Sequence, residues 1–109
     1  MTELSTIPLR SLDKVDAVAN DSVVPYYLAD RRLRIAIARV DGRLYAFDDL
    51  CTHLHCPLSG GLLKNTTIMC QCHGSRFDIT TGTVTNGPAA EPLNVYEVQE
   101  VDGEIRVRA

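Results

Sequence analysis

The sequence predicts an all-β, antiparallel fold. Three observations carry that expectation. Turn signals recur at Asp41-Gly42, Lys64-Asn65, Thr81-Gly82 and Asp102-Gly103. The runs between them are short and rich in β-branched and aromatic residues. No stretch has the length and apolar period of a convincing helix. At 109 residues, 45% of them hydrophobic, the chain is sized for one domain with a modest core, so residues 1–109 are expected to form a single unit.

Thr6–Leu9 is expected to be an edge strand, because Pro8 has no N–H for a ladder. Ser11-Leu12-Asp13-Lys14 offers a weak helix or turn start within residues 11–21. Ser22–Leu28 is rich in β-formers, and Pro25 favours an edge position. Leu33–Val40 alternates, with Leu33, Ile35 and Ile37 on one face and Arg34, Ala36 and Ala38 on the other. Asp41-Gly42 turns it into a return strand, Arg43–Asp48, since both central positions of a tight hairpin turn favour positive φ. Ser59-Gly60-Gly61 reads as a loop, Lys64-Asn65 as a turn and Thr66–Met69 as a short strand. Phe77–Ile79 and Thr83–Val84 flank Thr81-Gly82, and Asn86-Gly87-Pro88-Ala89 forms a further loop. Leu93–Val101 and Glu104–Val107 close the chain as a hairpin about Asp102-Gly103.

The formal net charge of −3 argues against nucleic acid or an anionic membrane as main partner. The N-terminus has no basic region followed by an apolar run, and no segment approaches the roughly 18 apolar residues of a membrane span. The expected compartment is the cytoplasm, where four cysteines point to metal or redox chemistry rather than to a disulfide scaffold.

All four cysteines and all three histidines fall between residues 51 and 73. They form two clusters, Cys51-Thr52-His53-Leu54-His55-Cys56 and Cys70-Gln71-Cys72-His73. Thiolates and imidazoles gathered on two short loops suit a structural zinc, a mononuclear iron or a mixed-ligand two-iron cluster. Zinc sites of the Cys₂His₂ type pair like ligands at short spacing, whereas each loop here mixes Cys with His. That mixture favours the two-iron cluster, in which His₂ replaces Cys₂ on one iron. A Cys₄ cluster of the plant type would need a further Cys where Ser59 stands.

Cys51-Thr52-His53 with Cys70-Gln71-Cys72-His73-Gly74-Ser75-Arg76-Phe77-Asp78 resembles the Rieske iron–sulfur family. Pro57-Leu58-Ser59-Gly60-Gly61, Thr81-Gly82 and Gly87-Pro88 fall where that family has loops, so the resemblance covers most of residues 41–107. It implies the Rieske fold, small antiparallel sheets with a cluster-binding tip made of two loops, the cluster-binding part spanning about residues 48–88. It implies one [2Fe–2S] cluster, with Cys51 and Cys70 on the inner iron and His53 and His73 on the outer, solvent-near iron.

Within the family, an oxygenase domain also needs a mononuclear iron held by two histidines and a carboxylate. Once His53 and His73 are used, His55 alone remains, so the chain is expected to carry electrons rather than perform catalysis. It is most similar in character to the ferredoxin component of bacterial aromatic-ring-hydroxylating dioxygenase systems, of the carbazole and biphenyl type. That likeness implies a flavin-dependent NAD(P)H reductase as donor, a terminal ring-hydroxylating oxygenase as acceptor, and a monomer. The alternative is the small Rieske-like subunit of an assimilatory nitrite reductase.

Cys56 and Cys72 match the positions of a disulfide that ties the two loops in high-potential Rieske proteins; the other reading is a pair of buried free thiols in a reducing cytosol. Ser75 matches a hydroxyl that donates to a bridging sulfide there, and Phe77 stands where that group has Tyr. Losing a donor to the cluster sulfurs lowers the potential. Redox titration should therefore give a value in the lower half of the roughly −150 to +300 mV family range. Pro88 is expected to help a third loop cover the cluster. His55 reads as a solvent-facing residue or a docking contact. Asp48, Asp49 and Glu91 read either as merely solvated charges or as charges that steer a basic partner surface.

Overall fold

The computed structural model describes residues 7–53, 55–72 and 74–109. Among the described residues ten strands follow one another: β1 (Arg10–Lys14), β2 (Ser22–Leu28), β3 (Leu33–Val40), β4 (Arg43–Asp48), β5 (Leu62–Lys64), β6 (Thr67–Met69), β7 (Arg76–Asp78), β8 (Val84–Asn86), β9 (Val95–Val101) and β10 (Glu104–Arg108). They form a six-stranded sheet, ordered β1-β10-β9-β4-β3-β2, and a four-stranded sheet, ordered β5-β6-β7-β8. Every strand pair is antiparallel. Among the described residues no helix is long and apolar enough to cross a membrane.

The turn chemistry sets these hairpins. Asp41 (φ 51°) with Gly42 (φ 80°), and Asp102 (φ 52°) with Gly103 (φ 75°), adopt the paired left-handed conformation of two-residue turns whose twist matches the strands they join. Pro25 lies on β2, at the edge of the larger sheet, where a missing N–H is tolerated.

Strand β3 is buried on both faces, and this organises the molecule. Ala36, Ala38 and Val40 pack with Phe47, Leu58, Ile68, Phe77, Ile79 and Leu93. Ile35 and Ile37 pack with Val18, Leu28, Ala46, Ile105 and Val107. The first core joins the β3–β4 face to the smaller sheet. The second brings β10 onto β3, three places away in strand order, so the larger sheet curls on itself. The small Ala36 and Ala38 are fully buried in this first core beside residues of the smaller sheet. Burying each large apolar side chain contributes about 1.5–3 kcal/mol of transfer free energy.

The N-terminal expectations need correction. Of the expected strand Thr6–Leu9, Thr6 lies outside the described residues and residues 7–9 are not strand; the edge strand begins at Arg10, where pairing with Val107 starts. Arg10 is held there by a two-pronged bond to Asp30 (2.6 and 2.7 Å). Residues 11–14 continue β1 instead of starting a helix, and only a short 3-10 turn follows at Val15–Ala17. Arg39 supplies what the local sequence does not show, donating to the carbonyls of Val15 and Val18 (both 2.7 Å). The three-residue β5 is an addition, and β8 runs on to Asn86, where a loop was expected.

Two tyrosines link these strands to carboxylates. Tyr26 donates to Asp13 (3.0 Å), and half-buried Tyr96 donates to Asp48 (2.5 Å). Burial, then the bonded carboxylate, pushes the Tyr26 phenol up to about 12 and the Tyr96 phenol further still, against an ordinary value of 10.0. A raised folded pKa means that the stabilisation is complete below pH 10 and is lost as pH rises through the folded values. Thermal midpoints should therefore hold steady up to about pH 10 and fall above it, and Tyr96→Phe should flatten that fall. An alkaline limb unchanged in Tyr96→Phe would refute the linkage.

Candidate metal centre

The two Cys/His loops are built on one plan. In the first, the N–H of Cys51 donates to the Cys56 carbonyl (2.8 Å) and the N–H of His55 to the Cys51 carbonyl (2.7 Å). In the second, the N–H of Cys70 donates to the Ser75 carbonyl (2.8 Å) and the N–H of Gly74 to the Cys70 carbonyl (2.9 Å). Each loop thus closes between residue i and residue i+5 and turns at i+4. Both turning residues have positive φ, 58° at His55 and 77° at Gly74. Cys51 and Cys70 occupy the same first position, and each is 1% exposed. His53, two residues into the first loop, is exposed. His73 lies outside the described residues.

The loops are joined covalently. Cys56 and Cys72 form a disulfide with Cα atoms 6.5 Å apart. The sulfurs of Cys56, Cys70 and Cys72 lie within 4.8 Å of one another, so Cys70 faces this bridge directly. With two of those sulfurs bonded to each other, the three are not a ligand set of their own.

A third segment, residues 87–93, is tied to both loops. The buried Ser75 hydroxyl accepts from the N–H of Ala89 (3.0 Å), which leaves its own proton for another acceptor. The Thr52 hydroxyl donates to the Glu91 carbonyl (2.7 Å). The N–H of Leu93 donates to Gly82 (2.8 Å), and a Cβ at Gly82 would collide with the Leu93 carbonyl. Pro88, exposed and preceded by a cis peptide, sits in this segment. Phe77 is fully buried opposite Ile68 and Val84 in the smaller sheet.

The acidic residues before the first loop are not free surface charges. Asp49 is 0% exposed and is bonded by Arg34 and Ser59. Asp48 accepts from Tyr96 and from the N–H of Asn94 (3.3 Å). Of the three residues expected to steer a partner, only Glu91 is an exposed side chain without such a tether. The structural role of Asp49 left no trace in the sequence pattern, because its partners lie 15 and 10 positions away.

His55 carries a cost that Gly74 does not. A Cβ-bearing residue in the left-handed region is disfavoured by roughly 1–2 kcal/mol. His55→Gly should raise stability by about 0.5–1 kcal/mol once the greater freedom of the unfolded glycine chain is subtracted. The denaturant midpoint should rise at constant slope. A lower midpoint would mean that the imidazole makes a contact worth more than the strain.

The donor set fits a mixed-ligand two-iron group. Two soft thiols stand at equivalent, water-excluded positions, while an imidazole stands at the surface, as a cluster with an inner thiolate-held iron and an outer imidazole-held iron requires.

A family model for the Rieske [2Fe-2S] domain matches residues 9–97. The ferredoxin subunit of anthranilate 1,2-dioxygenase from Burkholderia cepacia is 33% identical over 107 residues, spanning 98% of this chain and 97% of its own. A Sphingomonas yanoikuyae B1 ferredoxin superposes with a TM-score of 0.87 at 31% identity, over 94% of this chain and 99% of the other. A chain from the complex of reduced oxygenase and oxidized ferredoxin in carbazole 1,9a-dioxygenase superposes with a TM-score of 0.86 at 29% identity, over 92% of each chain.

Proposed function

We propose, from the premise that this chain belongs to the Rieske [2Fe-2S] domain family, that it is the ferredoxin component of a multicomponent aromatic-ring dioxygenase. The observation that carries this reading is the end-to-end match to a dioxygenase ferredoxin subunit, with almost nothing left over on either chain. The protein transfers electrons and is not itself the oxygenase. Its cofactor is one [2Fe–2S] cluster, which when bound supplies a one-electron store, and its acceptor is the terminal oxygenase. Nothing in the relatives described above favours a nitrite reductase subunit.

In this proposal Cys51 and Cys70 hold the inner iron, and His53 and His73 hold the outer one. The whole chain, 1–109, serves as one domain, with residues 48–88 as its cluster-binding part. The donor is an NAD(P)H-dependent flavin reductase, and the carrier works as a cytoplasmic monomer. Burial of Cys51 and Cys70 keeps water from the thiolates, whereas exposure of His53 offers an imidazole edge to a docked partner. The Cys56–Cys72 bridge and the bonds from Ser75 and Thr52 to residues 89–91 restrain both loops, which lowers the rearrangement that accompanies a change of charge.

The test is reconstitution. A purified flavin reductase, its terminal oxygenase and NADH should form hydroxylated product only when this protein is added. Electron flow that is indifferent to its addition across reductase–oxygenase pairs, with nitrite reduction stimulated instead, would overturn the reading.

A further inference from the structure

The two cluster loops are alike at their tips and unlike at their stems. Below Cys70 and Ser75 the chain enters a regular ladder, with Met69 opposite Arg76, Ile68 opposite Phe77 and Thr67 opposite Asp78. Below Cys51 and Cys56 there is only an isolated bridge between Leu50 and Pro57, and proline has no N–H to give. One step lower stands Asp49. Its carbonyl accepts from the N–H of Leu58 (2.5 Å), and its N–H donates to the carbonyl of Arg34 (3.0 Å). One carboxylate oxygen accepts from the N–H of Ser59 (2.7 Å). The other accepts from the Ser59 hydroxyl (3.1 Å) and from Arg34 Nε (2.5 Å).

We infer that Asp49 is a positioning residue for the metal centre, closing the stem of the first loop and doing for Cys51 what the β6–β7 ladder does for Cys70. The physical case rests on where its bonds go. A carboxylate with no solvent exposure is costly unless both oxygens are satisfied, and charge-assisted bonds of this kind are about twice as strong as neutral ones. Ser59 lies across the stem, and Arg34 lies on β3, the strand shared by both cores. The carboxylate therefore fastens the entrance of the loop to its exit and fastens both to the strand buried on both faces. Gly61, just beyond, admits no side chain, because a Cβ there would collide with the Met69 carbonyl. The exit strand is thus pressed against the residue that precedes Cys70, and the two stems are set in one register.

The test uses the cluster-loaded protein with Asp49→Ala and Asp49→Asn, and Val107→Ala as a control for global destabilisation from the opposite core. Two quantities are followed: amide hydrogen exchange by mass spectrometry in segments 49–59 and 68–77, and loss of visible absorbance under a chelator. Asp49→Ala should speed exchange in 49–59, and cluster loss, by roughly tenfold, the effect of removing a buried charge-assisted acceptor. Segment 68–77 should stay within about a factor of two, as expected for a local opening. Asp49→Asn should recover only part of the protection, because its amide oxygen still accepts from the Ser59 N–H while its NH₂ cannot accept from Arg34 Nε. Val107→Ala should show no difference between the segments. Equal acceleration of both segments, or none in 49–59, overturns the proposal. The cluster-loss readout rests on the ligands proposed above and the exchange readout does not. Selective exchange with unchanged cluster loss would leave Asp49 as a closure of the stem and overturn its role in positioning the metal centre, whereas the ligand assignment itself is tested by Cys51→Ala.

Discussion

Cys51→Ala is expected to leave a folded protein without its iron–sulfur chromophore and without electron transfer. Cys51 sits at the first position of its loop, 1% exposed, on the same plan as Cys70. Methyl cannot replace thiolate as a ligand, and the loop is too tightly bonded to bring another donor to the same place. The remaining histidine of that loop, His55, is held at i+4 by its own N–H on the Cys51 carbonyl. Iron analysis should fall from two per chain to near zero, while the strand signature in circular dichroism persists, because both cores lie mostly on strands that the loop does not form. His55→Ala is the informative companion: it should keep both irons and the same apparent affinity for the oxygenase. Full iron content in Cys51→Ala would remove that residue from the ligand set.

Breaking the Cys56–Cys72 bridge should cost about 3 kcal/mol in the iron-free protein, the loop-closure entropy returned to the unfolded chain by a link across 16 positions. For a chain of this length the thermal midpoint should drop by roughly 10–15 °C. The loss should be smaller when the cluster is bound, since a group held by both loops performs the same cross-linking. The double substitution Cys56→Ser, Cys72→Ser separates the two contributions: its effect should be largest without iron and should shrink with it. A loss below about 1 kcal/mol in both forms would mean that the loop bonds alone keep the loops together.

The fold class and its hairpins were legible because turns of two residues are local events. Asp41-Gly42 and Asp102-Gly103 need only their own backbone freedom to reverse the chain, and β2, β3 and β4 have the bounds that β-former content, alternation and the intervening turn lead one to expect. The N-terminus was not legible. Nothing in Arg10–Lys14 alternates clearly; it is strand because β10 offers an edge and Asp30 holds Arg10. The same limit applies to charge. Asp48 and Asp49 read as solvated carboxylates, since a sequence shows an acidic pair but not the Tyr96, Arg34 and Ser59 that enclose it.

By itself the sequence determined the chemistry of the centre and the class of the fold. Residue type and short spacing suffice to say that thiolates and imidazoles are gathered on two loops between antiparallel strands. Only the tertiary structure decided how those loops are held: one by a regular ladder, the other by a buried carboxylate, with a third segment bonded to both. Ligand chemistry is a property of side chains a few positions apart, whereas burial and the pairing of charges depend on groups that only the folded chain brings together.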